Sequence, residues 1–133
     1  MSRPPARPGE RRARGDAAEQ RAAAFLEAEG YVVLDRNYQT RRGEIDLVVE
    51  KGDVLAFVEV RSGSGDAFGS PAETVSYRKR RRVIAAATDW ALRAGLLDER
   101  AIRFDVIGVI DRGEGEMELE WIPAAFDATG AAT

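Results

Sequence analysis

The chain has 133 residues, and none of them is cysteine or histidine. These two absences exclude a disulfide framework, a thiol nucleophile, a cysteine- or histidine-ligated zinc site and a Ser-His-Asp triad. Carboxylates, lysines, hydroxyls and oxygen-bound hard metal ions are left to carry any chemistry. The net charge of −3 hides a segregation: 9 basic and 6 acidic side chains in residues 1–42, 2 and 7 in 43–75, 8 and 3 in 76–103, and 1 and 7 in 104–133.

Residues 1–14 are basic and proline-rich with no apolar run, and read as a disordered arm rather than a secretory signal. A single domain is expected over residues 15–126, followed by a disordered tail at 127–133. No apolar run reaches the ~18 residues of a membrane span, so no membrane partner is expected, and the lack of cysteine fits a cytoplasmic location. Asp16 with Glu19 three residues on has the form of a capping box, and Ala18, Ala22, Phe25 and Leu26 follow at helical spacing up to Gly30. Tyr31–Leu34 reads as a short strand, and residues 39–43 as a polar turn. Glu44–Glu50 alternates as a strand, and Val54–Arg61 is a second, more apolar one. A glycine-rich loop, Ser62–Gly69, leads to Ser70-Pro71-Ala72-Glu73, a helix-start signature. Val83, Ala87, Trp90, Ala91 and Ala94 form the stripe of one long helix, stopped by Gly95. Ile102–Ile110 reads as a strand, and Met117, Leu119 and Trp121 alternate in the last one. The order α-β-β-β-α-β-β predicts an α/β fold, a mixed sheet flanked by helices. Both tryptophans fall on apolar-periodic positions and read as core.

The chemistry concentrates in the hairpin. With Gly52-Asp53 as its two-residue loop, paired residue numbers sum to 105. Ile45, Leu47 and Val49 then share one apolar face with Val60, Val58 and Ala56. On the other face Val48 meets Phe57, Asp46 meets Glu59 and Glu44 meets Arg61. Directly opposed like charges destabilise a sheet, and a divalent cation would relieve the conflict. The competing reading has Glu59 paired with Arg61 or solvated at the sheet edge. Residues 78–82, Arg-Lys-Arg-Arg-Arg, are either a solvated helix face or a phosphate-binding one. The glycines from Gly63 to Gly69 imitate a dinucleotide-binding turn but have the wrong spacing and follow an antiparallel hairpin, so a linker or a loop near substrate is the better reading.

Gly43-Glu44-Ile45-Asp46-Leu47-Val48, Phe57-Val58-Glu59-Val60-Arg61, Phe68-Gly69-Ser70-Pro71 and Lys79 early in a helix together resemble the YraN-like family of small bacterial proteins. This is a branch of the restriction-endonuclease-like, PD-(D/E)XK superfamily, nearest to its Holliday-junction-resolvase type. The resemblance runs from Gly15-Asp16-Ala17-Ala18-Glu19 to Ala125-Phe126. It implies a restriction-endonuclease-like core with the site at the hairpin. Asp46 and Glu59 match the metal-binding acids, and Arg61 falls where the superfamily has lysine. Glu19 matches an acid that joins the metal site in some resolvases, or is simply a capping glutamate. Glu44 is an outer carboxylate or a partner of Arg61. Lys79 is implied to face the site, with Arg78, Arg80, Arg81 and Arg82 on nucleic acid. The resulting expectation is a Mg- or Mn-dependent endonuclease-like protein acting on DNA, with branched DNA a candidate substrate and RNA left open. A homodimer would suit the two cleavage points of a four-way junction. The alternatives are a catalytically inactive nucleic-acid-binding module of the same fold and a protein–protein adaptor.

Overall fold

The computed structural model describes residues 8–64, 70–95 and 100–133, with side chains from residue 16 onward. The elements are α1 (Pro8–Ala28), β1 (Val32–Gln39), β2 (Glu44–Lys51), β3 (Val54–Ser64), a short 3₁₀ helix (Pro71–Thr74), α2 (Tyr77–Ala94), β4 (Ala101–Gly113) and β5 (Glu116–Phe126). The expected α/β order is upheld. The five strands form one mixed sheet in sequence order, antiparallel except for β3 against β4, which run parallel. Parallel neighbours need a crossover, and α2 supplies it.

One helix covers each face. Ala18, Ala22, Ala23 and Leu26 of α1 pack with Leu47, Val49, Ala56, Val58, Ile107 and Val109. Val83, Ile84, Ala87 and Ala91 of α2 pack with Val48, Leu55, Phe57, Phe104 and Val106 on the other side. β3 is therefore buried on both faces from Leu55 to Glu59, which is why Val54–Val60 is apolar but for Glu59. Trp90 stands edge-on to Phe57 at 5.9 Å, and Trp121 edge-on to Phe25 at 5.7 Å. The Trp121 indole N–H donates to the fully buried Asp105, which also takes a two-pronged bond from Arg103 at 2.7 and 2.8 Å. Among the described residues no helix is long and apolar enough to cross a membrane.

Four expectations are corrected. Asp16 is not a cap, because α1 begins at Pro8, inside the stretch read as an arm; residues 1–7 lie outside the described residues. Ser70 starts only the 3₁₀ turn and makes no side-chain cap. The long helix is capped by Ser76, whose hydroxyl accepts the Lys79 N–H at 3.1 Å, while Val75 is buried in extended form between the two. Its end at Gly95, in the left-handed region, is as expected. β3 continues to Ser64, since β4 offers partners as far as Asp111, and residues 65–69 of the glycine-rich loop lie outside the described residues. Residues 127–133 fold back on the domain: Asp127 and Ala131 share a backbone bond, and Arg80 donates to the Gly130 carbonyl at 2.7 Å.

Candidate active site

The hairpin register is the expected one from Lys51↔Val54 to Leu47↔Val58. There the β2–β3 ladder ends. β2 continues to Glu44 along β1, and β3 continues to Ser64 along β4, so the pairs expected at 46/59, 45/60 and 44/61 are not laddered. Instead the Val60 N–H donates to Asp46 Oδ2 at 2.8 Å. A carboxylate occupies the place of a backbone acceptor, and the sheet opens at this point.

β1 is irregular opposite this point. Asn37 has φ +52, a left-handed conformation that asparagine tolerates better than other side chains. It stands across from Asp46, between the pairs Arg36↔Leu47 and Tyr38↔Ile45. Alternation along β2 breaks here. Ile45 packs with Val48 on the α2 side, and Leu47 packs on the α1 side. The single apolar face expected for Ile45, Leu47 and Val49 is thus divided between Ile45 and Leu47.

Glu59 follows Phe57 on β3 and is 3% exposed. Its Oε2 is buried without a hydrogen-bond partner, and its Oε1 lies 3.7 Å from both Lys79 Nζ and Arg61 Nη1. Burial, reinforced by the charge of Asp46, pushes the Glu59 carboxyl up to about 9. Burial also raises Asp46, against the opposing pull of the Val60 N–H. Glu19 on α1 is raised to about 7 by burial and by Asp46, with a countering hydrogen bond from Asn37. Three carboxyls are therefore held more protonated than they would be in water. Among the described residues, however, no group of three or more Asp or Glu side chains is arranged to hold a metal ion. Glu19 borders the Asp46–Glu59 pair without completing such a set.

Lys79 donates to Glu44 Oε1 at 2.7 Å, so Glu44 pairs with Lys79 rather than Arg61. Burial works against the Lys79 ammonium, but the bond to Glu44 and the nearby carboxylates outweigh it and hold its pKa above the ordinary value. The same bond holds Glu44 below its ordinary value. Arg61 donates through Nε to Thr74 Oγ1 at 3.1 Å, and Thr74 donates to the Pro71 carbonyl at 2.6 Å. The 3₁₀ turn therefore orients Arg61. Arg80, grouped in sequence with the basic run, donates to the Val75 and Gly130 carbonyls, both at 2.7 Å. It braces the tail, while Arg78, Arg81 and Arg82 are exposed.

The model of the uncharacterised protein family UPF0102 matches residues 18–109. The chain belongs to this family. The matched span contains every carboxylate of the site, Arg61, Lys79 and the basic run, but not the tail braced by Arg80. The YraN resemblance is thereby upheld, UPF0102 being the YraN family. A UPF0102 protein of Anaeromyxobacter dehalogenans is 57% identical over 90% of this chain and 88% of its own length. One from Anaeromyxobacter sp. strain Fw109-5 is 53% identical over 92% and 90%. One from Myxococcus xanthus is 49% identical over 92% and 96%.

Two residues of this UPF0102 chain, Asn37 and Thr74, are not singled out by sequence reasoning, and Gly43 is read there only as the end of a turn and the head of a motif. Asparagine inside a strand is the one local signal, since it marks a position able to turn left-handed. Thr74 and Gly43 gain their roles only from contacts distant in sequence.

Proposed function

We propose that the protein is a nucleic-acid-binding, divalent-metal-dependent phosphodiesterase of the endonuclease type. The observation that carries this is the buried Asp46–Glu59 pair, two carboxyls within hydrogen-bonding reach of each other at the point where the sheet opens, with no N–H or hydroxyl donor on the second Glu59 oxygen. An unpartnered buried carboxylate oxygen costs about 1–3 kcal/mol, more when charged. An oxygen-seeking ion would remove that cost, and Mg²⁺ needs only one or two protein carboxylates. The donor set fits: Asp46 and Glu59 would hold the ion, with Glu19 close enough to feel the Asp46 charge. When bound, such an ion supplies Lewis acidity and a more acidic water. The protein's own contribution is charge and orientation. Lys79, kept protonated, neutralises a phosphate brought to the pair. Arg61 presents a planar fork of donors to a phosphate oxygen while Thr74 sets its direction.

A second reading, a nucleic-acid-binding module that does not cleave, is favoured by one feature. Arg61 occupies the superfamily's lysine position, and a guanidinium does not give up a proton. Both readings are tested by incubating the protein with labelled linear, flapped and four-way DNA in Mg²⁺, Mn²⁺ or EDTA, beside Asp46→Ala. Cleavage that needs the ion and Asp46 supports the enzyme. Salt-sensitive binding without cleavage under any of these conditions leaves the module, and neither binding nor cleavage refutes both.

A further inference from the structure

The turn between β1 and β2 is closed on itself. Thr40 N–H donates to the Gly43 carbonyl at 2.8 Å, and Thr40 Oγ1 accepts the N–H groups of Arg42 and Gly43 at 3.1 and 3.2 Å. Backbone groups being occupied in this way, the turn presents its side chains, and Arg41 and Arg42 are both exposed. It is also fixed against α2: a Cβ at Gly43 would lie 1.8 Å from the Arg82 carbonyl oxygen. Arg41 and Arg42 are thus brought beside a helix that already carries Arg78, Arg81 and Arg82, next to Glu44, whose carboxyl feels the Arg82 charge.

None of these five arginines has a carboxylate partner among the described residues, whereas Arg93, Arg100, Arg103 and Arg112 each sit 2.6–3.0 Å from one. The α2 first turn holds no acidic residue, and cations near a helix N-terminus oppose its dipole. Such crowding of like charge weakens the isolated fold, and a polyanion would relieve it. A lone phosphate is satisfied by one or two guanidinium forks. Five arginines spread over two elements match a run of phosphates.

We propose that the Thr40–Gly43 turn is the second half of a phosphate-binding surface, in which Arg41 and Arg42 act with Arg81 and Arg82 to seat a nucleic-acid backbone over the carboxylate pair. This rests on the nucleic-acid reading above and adds a binding element to it. The test is binding of a fluorescent DNA duplex in EDTA, measured as salt rises from about 50 to about 200 mM, a range over which phosphate contacts lose much of their strength. Each lost phosphate contact lowers the log–log slope by about 0.9, so Arg41→Ala/Arg42→Ala and Arg81→Ala/Arg82→Ala should each lower it by about 1.8. Arg93→Ala, paired with Asp89 at the far end of α2, should leave it unchanged. A cooperative melting transition at or above the wild-type temperature shows that each variant is folded, and the relief of like charge predicts a rise. If the 81/82 pair lowers the slope and the 41/42 pair does not, the turn is not part of the surface, while the nucleic-acid reading stands. If the wild type binds no duplex even at the lowest salt, that reading falls and the inference with it. Equal binding to vesicles of anionic phospholipid, with the same losses, would also overturn the assignment in favour of a membrane surface.

Discussion

Replacing Glu59 with glutamine keeps the volume of a side chain that is 3% exposed and removes its charge. In the folded protein the Glu59 carboxyl is raised from 4.5 to about 9, so between those values the folded state holds a proton that the unfolded chain has lost. Stability must then fall as pH rises. The contribution is fully present below the unfolded value and is lost progressively until the pH passes the folded one. One proton corresponds to about 1.4 kcal/mol per pH unit, so roughly 4 kcal/mol disappears across about three units. That is a large share of the 5–15 kcal/mol typical of a domain. Glu19, raised to about 7, steepens the fall in its more acidic half, and Asp46, also raised by burial, acts in the same direction. Urea unfolding in EDTA at about pH 5.5, 6.5, 7.5 and 8.5 should show this slope in the wild type and a much flatter line for Glu59→Gln. The variant should be the more stable protein at the alkaline end. Parallel lines for the two proteins would refute the reasoning, because they would mean that Glu59 ionises in the fold much as it does in water.

Three further outcomes follow from the same geometry. Mg²⁺ or Mn²⁺ should raise the melting temperature of the wild type more than that of Asp46→Ala or Glu59→Ala, and by more at higher pH, where fewer protons must be displaced; an equal response in all three, read by scanning calorimetry, removes the shared site. In single-turnover cleavage, Arg61→Lys should retain or raise a slow, Mn²⁺-favoured rate and Arg61→Ala should lower it, and two unchanged rates would place Arg61 outside the reaction. Gly43→Ala forces a methyl group to 1.8 Å from the Arg82 carbonyl, so it should cost on the order of 1–3 kcal/mol in urea unfolding, and a neutral result would mean that the turn does not press on α2.

The hairpin register was readable because each one-residue slip would have exchanged its two faces, and Leu47, Val49, Ala56 and Val58 admit only one choice. The same pattern misplaced Ile45, because period-two reasoning assumes a ladder that continues, and the β2–β3 ladder ends at Leu47. Asp46 and Glu59 stood out as like charges opposed in an apolar hairpin. Lys79 and Glu19 were named as their neighbours only through the resemblance, and Thr74, which holds Arg61 from a separate element, left no signal. Ser70 and Ser76 each look like a helix cap, and what separates them is the burial of Val75, a tertiary effect with no local trace. Arg80 illustrates the limit most plainly: within a run of five cations, only the fold shows which one turns back to hold the Gly130 carbonyl.

The parallel pairing of β3 with β4 has a kinetic side. β1, β2 and β3 form successive antiparallel neighbours joined by short turns, and β4 and β5 form another hairpin, so each group can assemble from nearby residues. The seam between the two groups closes only after the chain from Ser64 to Ala101, with α2 inside it, has been brought round, and contacts between residues distant in sequence are the slow ones to form. Glu59 lies on that seam, paired with Val106. The carboxylate pair is therefore buried only once the last long-range strand has docked, and a chain halted earlier in folding would carry Asp46 and Glu59 on a hairpin still open to water.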